Sequence, residues 1–315
     1  MKPVAISKNH IDLCKPESQD SQVYLGVKKF IKECLNTPGL LDNRNGNGYS
    51  VESFESYWNT WPPEAQQLGY LLSLFAPAPF QWSLVESCVI ETEDEEESED
   101  KVEDLKKLRD RFLVNGNLLQ LTKQQTYQLN QRIRKFLQTK LAQILEADCY
   151  KQRFCQGMVA VAKKIPKTPT RDQIAAVTPA IPHLAEAATV LTDWLRDEDL
   201  IWPFIGLGGL YQGQGTYDQA EPLYQQCLEI TRSRLGENHP DVATILNNLG
   251  LLYYSIGRDD EAKALYQQAL EIAEPKLGSH HPMTRIYRRN LEILRSPLWT
   301  GIYRACLGLK PWFCD

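Results

Sequence analysis

From residue 51 onward, apolar residues recur along most of the chain at helical spacing. Leu68, Leu71, Leu72 and Phe75 fall at i, i+3, i+4 and i+7, and Ile133, Phe136, Leu137, Leu141, Ile144 and Leu145 share one helical face. The same period predicts helices over Phe54–Thr60, Trp82–Cys88, Val102–Leu113, Tyr150–Lys164 and Ile181–Arg196. Pro62-Pro63 opens the helix that contains Leu68, and Ala76–Phe80 (APAPF) stops it. Ile165–Thr170 and the Pro179/Pro182 pair mark further breaks. Leu118–Leu121 and Thr126–Leu129 flank the polar turn Thr122–Gln125 and predict a small β-hairpin. Residues 1–50 keep no sustained period. They read as a poorly ordered or partly helical region, with a short helix near Val27–Leu35 and a loop at Leu41–Ser50.

The strongest pattern is a repeat. Leu207–Pro240 overlays on Leu249–Pro282 with 18 identities in 34 positions, 42 residues apart. Gly208/Gly250, Tyr211/Tyr253, Gly215/Gly257, Ala220/Ala262, Tyr224/Tyr266 and His239-Pro240/His281-Pro282 are among the pairs. A fixed period of this size marks stacked helix pairs, which bury their apolar faces only against neighbours and leave an extended surface for a partner. Small residues at Gly208 and Ala220 let the two helices of a unit approach. Gly215 suits a helix C-terminus, and Pro240 and Pro282 suit the first turn of the next helix.

Composition narrows the function. A net charge of -5 weakens the case for nucleic acid, which needs concentrated basic surface. No apolar run reaches the length of a membrane span, and MKPVAISKNH lacks the apolar core of a signal peptide, so a cytoplasmic location is expected. The eight cysteines are scattered, without a C-x-x-C pair, and read as incidental or buried thiols. Glu91–Asp100 carries eight carboxylates in ten residues and reads as a solvated acidic loop; it lacks the turn glycine of a calcium site. The five histidines are His10, His183, His239, His280 and His281, and the last three fall in repeat loops as turn-and-cap residues. No catalytic residue, metal site or cofactor site is nominated.

The spacing L-G-x-x-Y followed by G-x-Y-x-x-A-x-x-x-Y resembles the tetratricopeptide repeat. The first unit matches it fully; the second has Asp259 in place of the first tyrosine after the turn. The 42-residue period and the loop Leu235–Ala243 resemble the kinesin-light-chain type of that repeat. The resemblance implies an α-α superhelical array over 199–296, two full repeats plus one A helix, with A helices lining an inner groove. It also implies that Asn248 and Asn290 meet the backbone of an extended peptide, beside Thr244, Asn247, Leu251, Tyr254, Arg289 and Ile293. A side-chain amide can pair a peptide N–H and C=O together. The alternative is that these asparagines cap or pair inside the array. In the first unit Ile205-Gly206 replaces the asparagine pair, and Gly209 and Gly213 bare the surface. The groove carries too few cations for the family's terminal-carboxylate clamp. An aromatic tail, Pro297–Asp315 with Trp299, Tyr303, Trp312 and Phe313, is expected as a cap.

Trp61–Glu86 and Tyr127–Leu141 are similar to the winged-helix region of bacterial STAND signalling ATPases, which carry an NB-ARC nucleotide-binding core before their repeats. That resemblance implies a winged-helix-like domain over 51–147, a helical linker over 148–198 and a mainly α fold. No G-x-x-x-x-G-K-[ST] occurs in the sequence, and Asn130 stands where the family has a phosphate-contacting histidine. Nucleotide binding is therefore not expected. The reading is a non-catalytic interaction module, a truncated relative of STAND proteins. Its expected partners are a peptide or protein segment and a full-length relative. The alternative is a DNA-binding winged-helix regulator using Arg132, Arg134, Lys135 and Lys140.

Overall fold

The computed structural model describes residues 51–89, 95–122, 124–166 and 170–295. The expectations for 1–50 and 297–315 lie outside them. The chain divides into two compact units between Lys151 and Gln152.

The first compact unit is helical with one small sheet. Helices α1 (Val51–Trp58), α2 (Pro63–Ser73), α3 (Trp82–Val89) and α4 (Glu95–Leu108) precede a π-helical turn at Arg109–Val114. Strands β1 (Leu119–Leu121) and β2 (Tyr127–Leu129) and helix α5 (Gln131–Leu141) follow. β1 and β2 pair antiparallel with Leu119 opposite Leu129, and Phe80 forms a bridge to Tyr127. The core is aromatic. Phe54 packs edge-on against Trp61 and Phe136 at 6.3 and 4.6 Å, and Trp58 reaches Trp61 at 5.1 Å. Gly69 makes room for Trp58, because a Cβ there would lie 2.8 Å from its ring.

Two expectations change here. The acidic loop at 91–100 is helical from Glu95, the start of α4. The helix through Ile133 ends at Leu141, so Ile144 and Leu145 leave its face and Leu145 is fully exposed.

The second compact unit begins within α6 (Ala147–Lys163) and continues through α7 (Arg171–Val177) and α8 (Ile181–Thr189). Residues 152–198, within the helical linker expected over 148–198, fall in the same compact unit as the repeats. α7 has no counterpart among the helices that periodicity predicts. It starts from a capping box in which Thr170 and Gln173 satisfy each other's backbone N–H. The helix expected over Ile181–Arg196 ends at Thr189 and gives way to 3-10 turns at Thr192–Trp194 and Asp197–Asp199.

The repeats then fold as expected into an array of helical hairpins. They are α9 (Trp202–Gly213) with α10 (Tyr217–Leu235), and α11 (Pro240–Ser255) with α12 (Asp259–Leu277), followed by α13 (Pro282–Arg295). Gly215 and Gly257 adopt φ of +76° and +83° after α9 and α11, a conformation that favours glycine. Gly208 and Gly250 serve a different end. A Cβ on them would come within 2.4 Å of Tyr224 and 2.6 Å of Tyr266, so glycine lets each buried tyrosine lie flat across its A helix.

Candidate functional site

The A helices α9, α11 and α13 touch in succession, so one side of each contributes to a continuous face. On α11 most residues are buried. Asp241, Thr244, Asn248, Leu251 and Ser255 remain partly accessible, at spacings of three and four that make a single stripe. Side-chain hydrogen bonds join the A helices. Gln212 Nε2 donates to Ser255 Oγ at 3.2 Å, linking α9 to α11, and Asn290 Nδ2 donates to Asn247 Oδ1 at 2.8 Å, linking α13 to α11.

The eight residues selected from the sequence separate into two groups. Thr244, Asn248, Leu251 and Ile293 are partly accessible and Arg289 is exposed. Asn247, Asn290 and Tyr254 are buried, at 4%, 8% and 2% exposure, so their side chains do not line an open groove. The reason is packing. A buried amide needs a partner, and the A helices approach closely enough for Asn247 and Asn290 to supply one another. Tyr254 sits in an apolar cluster with Ala262, Tyr266 and Leu291. Asn247 Nδ2 lies 3.5 Å from Asn248 Oδ1, a weak contact that orients the accessible amide. Thr244 Oγ1 shares a 3.0 Å hydrogen bond with the buried Tyr287 hydroxyl. Ser255 was not selected from the sequence, although it extends the same spacing by one turn.

The first repeat contributes differently. Gly206 occupies the position of Asn248 one repeat earlier, and a Cβ there would lie 3.2 Å from both Ala162 Cβ and Ile165 Cδ1. Lys163 Nζ pairs with Asp199 at 2.7 Å and lies 5.5 Å from the Trp202 ring, the residue matching Thr244. The end of α6 and the residues just after it therefore cover the start of the face, and the accessible stripe belongs to α11 and α13. Gly209 remains bare, with nothing within 4 Å of where a Cβ would lie.

The junction behind the stripe is polar and tightly joined. Tyr253 donates to Glu221 at 2.8 Å, Arg258 lies 3.9 Å over the Tyr253 ring, and its Nε donates to Glu261 at 2.6 Å. The Glu261 contact, the largest cause, raises the Arg258 pKa and lowers that of Glu261.

Two cavities lie among the described residues of the repeats. The cleft bounded by Leu251, Tyr254, Tyr266, Asn290, Ile293 and Leu294 has about 10 Å³, room for roughly one water. A shallow depression of about 400 Å³ lies along α10 at Gln225, Leu228, Glu229, Arg232, Ser233 and Glu237.

His239 and His281 use Nδ1 to accept the N–H of Asp241 at 3.2 Å and of Met283 at 3.3 Å, capping α11 and α13. Burial pushes the Cys155 and Cys227 thiols up to about 12. Among the described residues no three His, Cys, Asp or Glu side chains gather as metal ligands, and no helix is long and apolar enough to cross a membrane. Of the four cations that a DNA-binding reading would use, Arg134 Nε donates to the Phe75 carbonyl at 2.5 Å and Lys140 pairs with Glu55.

The tetratricopeptide repeat family model matches residues 199–275. No curated protein matches the chain. Among solved structures, one similar chain is a Signal Transduction ATPase with Numerous Domains (STAND) protein with a tetratricopeptide repeat sensor from Pyrococcus horikoshii. It is 14% identical, with a TM-score of 0.24; the alignment covers 92% of this chain and 57% of that one.

Proposed function

We propose that the chain is a non-catalytic interaction module that holds an extended peptide or protein segment along α11 and α13. The observation that carries this reading is the stripe of Thr244, Asn248, Leu251 and Ser255, partly accessible on a mostly buried helix and bordered by Ile293 of α13. Leu251 and Ile293 offer apolar contact. Asn248 offers a donor and an acceptor to a peptide backbone. Asn247 and Asn290 act behind it, holding the two helices in register.

The first compact unit supports one likeness to STAND proteins beyond the repeats. The Phe80–Tyr127 bridge adds a third strand position to the hairpin, with α2, α3 and α4 arranged before it in sequence, as a winged helix requires. On this reading the repeats are the ligand-sensing part of a signalling protein, and a full-length relative is a second partner. Use of α5 on DNA is less well supported, since Arg134 and Lys140 are engaged within the unit.

Selection of displayed peptides on the full chain tests the reading. Peptides enriched on the wild type should lose binding to Leu251→Asp and weaken on Asn248→Ala. Both variants change accessible side chains and should keep the wild-type circular dichroism. Equal recovery on wild type and Leu251→Asp would remove the α11 assignment.

A further inference from the structure

The far side of α13 differs in kind from the matching side of α11. A shift of 42 residues turns Ala243, Leu246, Asn247 and Gly250 into Arg285, Arg288, Arg289 and Glu292. The first four are buried. Ala243 and Leu246 cluster with Tyr287 of α13, Asn247 bonds Asn290, and Gly250 accommodates Tyr266. Their counterparts on α13 are exposed, apart from the partly buried Arg288. Glu292 stands where a following unit of this kind would need glycine beneath its tyrosine. This face is therefore unsuited to another repeat.

Among the described residues it is also only partly neutralised. Arginines of the earlier units have carboxylate partners: Arg232 with Glu237 at 2.8 Å, Arg234 with Asp197 at 2.5 Å and Arg258 with Glu261 at 2.6 Å. Arg288 pairs with Glu274 at 2.6 Å. Among the described residues Arg285 and Arg289 have no such partner, and their i, i+4 spacing places them together. Ile286, 38% exposed, lies beside them.

We propose that this arginine face of α13 is a docking surface for an acidic protein segment. Carboxylates on the segment pair with the Arg285 and Arg289 guanidinium groups, whose planar forks suit bidentate contact, and an apolar side chain rests on Ile286. An acidic protein segment fits better than nucleic acid. Two cations beside Glu292 form a small patch, and the net charge of -5 repels an extended polyanion elsewhere. Arg285 and Arg289 match Ala243 and Asn247, which face the next A helix and not the stripe, whereas Ile286 matches the stripe residue Thr244.

Fluorescence anisotropy on the full chain tests this with a labelled peptide of alternating glutamate and leucine and with its glutamine counterpart. The acidic peptide should bind more tightly, and added salt should weaken it. Arg285→Glu with Arg289→Glu should weaken binding by about tenfold or more, and the double glutamine variant by less. Lys263→Glu, a charge reversal exposed on α12, should leave the affinity nearly unchanged. Thermal melts of all three variants confirm folding. Equal binding of the glutamine peptide, or unchanged affinity in the folded glutamate variant, overturns the proposal. So does an equal loss of acidic-peptide binding in Lys263→Glu, which would trace the effect to net charge and not to α13. Tighter binding of duplex DNA through the same arginines would overturn it in favour of nucleic acid.

Discussion

Two glycines on neighbouring A helices should respond oppositely to the same change. Gly250→Ala puts a Cβ 2.6 Å from the ring of Tyr266, which is 1% exposed and cannot swing away. Overpacking of this kind costs about 1–3 kcal/mol and outweighs the roughly 1 kcal/mol of helix propensity gained. Gly209→Ala meets nothing within 4 Å and should keep that gain. Thermal melts should show a lower midpoint for the first variant and a higher one for the second. Asn290→Ala leaves the buried Asn247 carbonyl oxygen without its 2.8 Å donor and should cost about 1–3 kcal/mol. Thiol reactivity separates the described cysteines. Cys155 and Cys227, pushed up to about 12 by burial, remain protonated at pH 8, and Cys88 is buried as well. Brief alkylation of the native chain followed by mass spectrometry should modify Cys149 and spare those three. Repeat identity makes Gly208 and Gly250 legible as close-approach positions from sequence alone. It does not say which amides face outward, because adjacent asparagines at 247 and 248 look alike in sequence and differ only in what packs above them.

At the scale of elements, periodicity is a good guide where a helix buries one face and a poor one elsewhere. α7 buries no residue, so it has no apolar stripe to read; its capping box, Thr170 with Gln173, is the available sign. That the acidic run is helical from Glu95 is not legible, since a stretch of like charges carries no apolar period to read. Ile144 and Leu145 continue the α5 pattern by spacing alone, yet the chain turns away after Leu141. The packing of 152–198 with the repeats is hidden for another reason: its contacts are long-range. Arg234 at the end of α10 donates to the carbonyls of Thr192 and Leu195 at 3.2 and 2.9 Å. Arg234→Met removes these bonds while keeping the apolar stem. Hydrogen exchange across 192–199 should accelerate by about tenfold or more, the equivalent of losing one or two charge-assisted bonds. Unchanged exchange would mean that apolar packing alone holds the segment.

For the molecule as a whole, the account turns on which side of the repeats is available. α6 covers the beginning of the A-helix face at Gly206, and arginines occupy the far side of α13. Between them lies the accessible stripe of α11. The most direct test places a photo-reactive benzoylphenylalanine at Leu251 in one variant and at Gln268, exposed on α12, in another. Each is irradiated with peptides selected on the wild-type chain. Cross-linking at position 251 and little at 268 is the result expected of a ligand seated on the A helices. Capture at 268 with none at 251 would contradict it and move the binding face to the B helices.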